Sequence, residues 1–107
     1  MEIIRTRTFE RSLKKLGASD GELAALEEAI ASDPTSGDVI PGLGGARKIR
    51  FGMAGEGKSG GGRAIYIVMV VRDVAYLLLA YSKSTKTDLS QADKDALKAI
   101  IKELKDG

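Results

Sequence analysis

Apolar positions follow two rhythms along this chain of 107 residues. In the first third they recur every three to four residues. Phe9, Leu13 and Leu16 make one stripe, and Leu23, Leu26, Ala29 and Ile30 a second, the spacing of helix faces laid on a core. Thr8 is the expected cap of the first helix and Gly17 its stop. Ser19 and Glu22 form a capping box for the second, which Asp33-Pro34 ends. A last stripe, Leu97, Ile100, Ile101 and Leu104, follows a cap at Ser90 with Asp93 three residues on.

Elsewhere the rhythm is two, or the run is apolar throughout. Glu2 to Arg5 reads as a short strand. From Ala46 to Met53 the chain alternates, with Arg47, Ile49 and Phe51 on one face and Lys48 and Arg50 on the other, which is a half-buried strand. Two strongly apolar strands, 63–72 and 74–83, flank a turn at Arg72-Asp73, and the strands either side of 54–62 should pair as a hairpin. The order β-α-α-β-β-β-α predicts a single small α+β domain over residues 1–107. We expect a mainly antiparallel sheet of about four strands with helices packed on one face.

Composition narrows the chemistry by what is missing. The chain has no cysteine and no histidine. Thiolate or imidazole zinc sites, Ser-His-Asp and Cys-His catalysis, and a histidine acid–base pair are therefore excluded within it. No apolar run approaches the roughly 18 residues of a membrane span, and the opening residues lack the apolar centre of a signal peptide. The expected location is the cytoplasm, with no membrane partner.

One motif invites a specific reading. Gly52 to Ser59, G-M-A-G-E-G-K-S, fits the phosphate-loop pattern G-x-x-x-x-G-K-[ST], and an apolar run ending in Asp73 follows. A phosphate loop works by opening into the N-terminus of a helix. Here three glycines follow, then β-branched residues, so a strand is expected and the nucleotide reading fails. Asp73 is then a turn residue. Nine of the thirteen glycines lie between residues 42 and 62, which suits either plain flexibility or the close passage of a polyanion.

Charge gives that second idea weight. Residues 1–45 hold five basic and eight acidic side chains, whereas residues 46–86 hold eight basic and two acidic. A positive centre of this kind points to a polyanionic partner or to a solvated basic surface.

Three stretches together, DPTSGDVIPGLGGARKIRF, GKSGGGRAIYI and YLLLAYSKSTKTDLS, with the closing helix, resemble the RelE/ParE superfamily of toxins from bacterial toxin–antitoxin pairs, nearest its HigB-like branch. The resemblance spans nearly the whole chain. It implies a curved antiparallel sheet and a ribosome-dependent, metal-independent mRNA endonuclease without cofactor. In such enzymes the ribose 2′-OH attacks the adjacent phosphate. It also implies a cognate antitoxin, expected to carry a helix-turn-helix domain, and an oligomeric complex with it. Mapped onto this sequence, Arg63 should stabilise the phosphoryl oxygens, since a guanidinium grips two at once. Lys83 is the expected base, because a lysine among other cations gives up its proton more easily, with Tyr81 a second candidate. Lys48, Arg50, Arg47, Lys58 and Lys86 are expected to bind RNA. Two other readings stay open: a ParE-like gyrase inhibitor without catalysis, and a nucleic-acid-binding module without enzyme activity.

Overall fold

The computed structural model describes residues 1–53 and 61–107. The elements follow in the order β1 (Glu2–Arg5), α1 (Arg7–Leu13), α2 (Asp20–Ser32), β2 (Asp38–Val39), β3 (Arg47–Phe51), β4 (Gly62–Met69), β5 (Val74–Ser82) and α3 (Gln91–Asp106). They build one five-stranded sheet in the spatial order β1-β5-β4-β3-β2. Every neighbouring pair is antiparallel except β1 and β5, which run parallel. No helix among the described residues is long and apolar enough to cross a membrane.

The expected single α+β domain with a mainly antiparallel sheet is present, and two details differ. A fifth strand, β2, is only two residues long and sits in the irregular segment between the prolines and glycines. More consequentially, the helices do not share one face. Phe9 of α1 and Leu23, Leu26 and Ile30 of α2 join Ile49, Phe51, Ala64, Tyr66 and Leu77 in one core. Leu97 and Ile101 of α3 join Leu43, Ile65, Ile67, Leu78 and Tyr81 in another. The reason lies in β4, which is apolar on both sides: Ala64, Tyr66 and Val68 point one way, Ile65, Ile67 and Met69 the other. A strand of that kind needs cover on both faces. Each large side chain so buried contributes about 1.5–3 kcal/mol.

One irregularity sets which residues of β5 share a face. Ile65 pairs with Leu79 but Tyr66 with Leu77, so Leu78 is an extra residue in the ladder. Leu78 and Leu79 both pack in the α3 core, while Leu77 and Ala80 both pack in the α1–α2 core. The bulge shifts the alternation by one residue.

Local chemistry explains the helix ends. Both expected capping boxes form, at Ser19–Glu22 and at Ser90–Asp93. The first helix, however, is capped by Thr6, whose hydroxyl accepts from Phe9 N, and not by Thr8. The Thr6 hydroxyl also donates to Leu77 O at 2.7 Å. Beyond β1 the edge of β5 is open, and α1 closes it: Ala80 N donates to Ser12 Oγ at 3.0 Å.

Two glycines are required by close approach. A Cβ on Gly62 would lie 2.7 Å from the Phe51 ring, and one on Gly37 2.9 Å from the ring of Tyr66. Both contacts are with buried aromatic side chains of the core, so at these positions packing, not a passing polyanion, accounts for glycine. Tyr66 itself is fully buried, accepting from Gly37 N and donating to Pro34 O.

Candidate functional site

The basic alternation of β3 becomes a cross-strand row in the sheet. Arg50 lies directly opposite Arg63 on β4, and Arg63 lies opposite Tyr81 on β5. Lys48, two residues back on the same face, is opposite Ile65. Directly opposed side chains have their Cβ atoms about 5 Å apart. Two guanidinium-bearing residues thus share one short stretch of sheet. Like charges so placed destabilise a strand pair, and a phosphate between them would reverse the sign.

Tyr81 closes the row. It is 5 % exposed, and its hydroxyl has no hydrogen-bond partner among the described residues. Burial pushes its pKa up, Asp88 adds to the rise, Arg63 works against it, and Asp93 raises it further. The phenol therefore holds its proton more firmly than an ordinary tyrosine. In that state the hydroxyl can donate a proton or a hydrogen bond.

The connection after β5 supplies the next cations. Lys83 is exposed at the end of the strand, its main-chain N–H held by Gly61 O at 2.8 Å. The chain then turns on Ser82, whose carbonyl accepts from both Thr85 N and Lys86 N. That turn returns Lys86 to the site, with its Nζ 5.7 Å from the centre of the Tyr81 ring, a cation–π distance. Lys86 Nζ also donates to Asp93 Oδ2 at 2.7 Å.

Two carboxylates that the sequence reading left out of the site belong to it. Asp93 is both the third residue of α3 and the tether of Lys86. Burial would raise its pKa, but the bond from Lys86 and those from Ser90 outweigh it, and the carboxyl is held below the usual range. Asp88 lies 3.6 Å from Lys48 Nζ and is lowered first by its bond from Leu89 N and then by Lys48. The sequence signal for Asp88 was an acidic residue within a basic connection, and for Asp93 its place in the cap with Ser90.

Arg47 is not brought to the group. It lies on the other face, opposite Tyr66, and its Nη1 donates to Gly37 O at 2.8 Å and Thr35 O at 3.2 Å. It fastens the 35–37 segment to the sheet. Lys58, and most of the glycine-rich motif, lie outside the described residues. The chain is in strand β4 from Gly62, three residues after Ser59. Asp73 sits at the turn beyond Met69 with φ 56°, and the full length of β4, roughly 20 Å, separates it from Gly62. Beside the row, a groove of about 560 Å³ runs between α1 and the end of β5, with Arg11, Lys15, Tyr81 and Lys86 in its walls.

A small mixed sheet thus carries Lys48, Arg50, Arg63 and Lys86 near a proton-bearing phenol at one end. The chain belongs to the RelE toxin family. The profile of that family, described as the RelE toxin of the RelE/RelB toxin–antitoxin system, matches residues 1–106. The fold is shared with the isolated E. coli RelE toxin, at 17 % identity and TM-score 0.53 over 92 % of this chain and 97 % of that one. It is shared likewise with a doubly arginine-to-alanine mutant of E. coli RelE in the free state, at 14 % identity and TM-score 0.53 over 80 % and 86 %. A conserved hypothetical protein of Helicobacter pylori matches at 17 % identity and TM-score 0.55 over 78 % and 96 %. Family membership makes this chain the toxin of a toxin–antitoxin system and implies a cognate antitoxin as its partner.

Proposed function

We propose that this toxin is a ribosome-dependent endoribonuclease of the HigB-like kind, cutting mRNA by attack of a ribose 2′-OH on the adjacent phosphate. The observation that carries the reading is the row Arg50–Arg63–Tyr81, two cations and a protonated phenol across three adjacent strands. In the reaction the 2′-oxygen bonds to phosphorus and the bond from phosphorus to the 5′-oxygen breaks. Negative charge grows on the phosphoryl oxygens, where a fixed guanidinium stabilises the transition state more than the ground state. Arg63, in the middle of the row, takes that role. Arg50 and Lys48 hold the backbone and fix its register.

Proton transfer divides between the ends of the row. Tyr81, whose hydroxyl keeps its proton, donates to the departing 5′-oxygen once bound RNA opens the site to that buried group. Lys83, at the mouth of the site, takes the proton from the 2′-OH. Lys86, held by Asp93 over the Tyr81 ring, keeps a positive charge beside the phenol. The cognate antitoxin, expected to be a helix-turn-helix protein, neutralises the toxin by covering this face or by excluding the ribosome. The setting is the cytoplasm, where ribosomes and mRNA are.

Cleavage of mRNA on programmed ribosomes tests the reading. The wild-type toxin should produce A-site cuts, and Arg63→Ala combined with Lys83→Ala should abolish them together with growth arrest. Intact cleavage and toxicity in the double variant would overturn the site. Growth arrest with continuing translation and DNA damage would transfer the protein to the gyrase inhibitors.

A further inference from the structure

Helix α3 sorts its charges. At about 100° per residue, Lys94, Lys98, Lys102 and Lys105 fall within an arc of about 80°. Leu97 and Ile101 pack into the core on one side of that arc, and Asp95, Glu103 and Asp106 occupy the other. Lys94–Lys98 and Lys98–Lys102 are like-charge neighbours one turn apart, an arrangement that weakens a helix. Asp95 and Asp106 are within helical reach of this row, yet among the described residues no carboxylate closes to ion-pair distance on any of the four lysines. Helix stability does not explain the sorting.

The flank is continuous with the candidate site. At its near end Lys94 acts on Asp88, which stands 3.6 Å from Lys48. At its far end Lys105 Nζ donates to Gly44 O at 2.8 Å, in the turn that leads into β3. Between them a groove of about 260 Å³ is walled by Lys98, Lys102 and Lys105, with Asp106 beside them. The row is about 16 Å long, in steps of about 5–6 Å. On the opposite side of the sheet α2 carries Asp20, Glu22, Glu27 and Glu28 and no basic residue, so no comparable row of lysines stands on that helix.

We propose that the lysine flank of α3 is a second RNA contact, taking the phosphate backbone of structured RNA beside the strand held at Arg50 and Arg63. The proposal rests on the reading of this toxin as a ribosome-dependent nuclease and names the ribosomal surface it docks with. Lysine, a point charge on a flexible stem, suits contacts of this kind, which position without reading sequence.

The test compares Lys98→Gln with Lys102→Gln, made together, against a charge-matched control, Arg7→Gln on α1 with Lys14→Gln at its C-cap. Glutamine keeps helix propensity, and Lys105 stays on Gly44. Binding to purified ribosomes is measured across a salt series, and cleavage on programmed ribosomes is measured at one salt. The α3 variant should lower the slope of log affinity against log salt by about two and raise KM about tenfold, with kcat unchanged. An unchanged slope, or an equal change in the control, would overturn the proposal. So would intact ribosome binding with weakened binding of the antitoxin, which would make the flank a protein interface. If the wild-type toxin binds ribosomes without cutting, the nuclease reading fails while the salt slopes still decide the flank.

Discussion

At the scale of single residues, Tyr81 carries the sharpest conflict between stability and function. A buried hydroxyl without a partner costs roughly 1–3 kcal/mol, and among the described residues that of Tyr81, in the α3 core, has none. Tyr81→Phe should therefore leave stability unchanged or raise it by up to about 1 kcal/mol, while cleavage falls by about a hundredfold. Thermal melting and single-turnover cleavage check the pair, and full activity in the variant would reduce Tyr81 to packing. The pH dependence has a definite sign. The folded-state pKa is raised, so the contribution of the phenol to stability is complete below the unfolded value of about 10. It is lost as pH rises through the folded value, and the phenylalanine variant should lack that alkaline loss. Arg47 teaches the opposite lesson: its charge resembles that of its neighbours, but parity along β3 sends it to the other face, where carbonyls engage it.

At the scale of elements, the start of α3 joins fold to site. Asp93 accepts from Ser90 N to complete the cap and from Lys86 to hold it over Tyr81. Asp93→Ala should cost about 1–2 kcal/mol at neutral pH and free the Lys86 ammonium. Since the Asp93 pKa is depressed on folding, its stabilisation is present above the unfolded value of about 3.9. It is lost as pH falls through the folded value, so the variant should show a shallower acid limb in urea titrations. These caps were legible in the sequence because they are local: Ser19 with Glu22 and Ser90 with Asp93 carry their own geometry. The cap at Thr6 was not. Its competitor Thr8 has the same chemistry, and the choice is made by the bond to Leu77 O, a partner 71 residues away. Nor does the apolar stripe of α3 say which side of the sheet it covers. Residues Ile65, Ile67 and Met69 decide that, by demanding cover opposite α1 and α2.

At the scale of the whole molecule, the basic centre of the sequence divides in space. Lys48, Arg50, Arg63, Lys83 and Lys86 gather at one end of the sheet. Arg72 reaches the opposite end, donating to Leu104 O at 2.8 Å near the close of α3. The row Arg50–Arg63 followed from alternation and pairing and was legible, whereas the place of Tyr81 in it was not, because it depends on the bulge in β5. Counting by twos from Leu77 would bury Tyr81 against α1 and α2. That extra residue makes the sheet unusually forgiving at one point. Leu77, Leu78 and Leu79 are identical, so excising any one of them yields the same shortened chain, and the lost residue is the one the ladder leaves unpaired. The shortened toxin should keep every remaining β5 side chain in its own core and retain measurable cleavage, despite losing about 2–5 kcal/mol of packing. Excising Ala75 instead should abolish folding, because it moves the β1-paired half of β5 out of phase with its neighbours. A deletion scan through β5, scored by growth arrest, would reveal a single tolerated gap at the leucines, and evolutionary drift in strand length has an open door there.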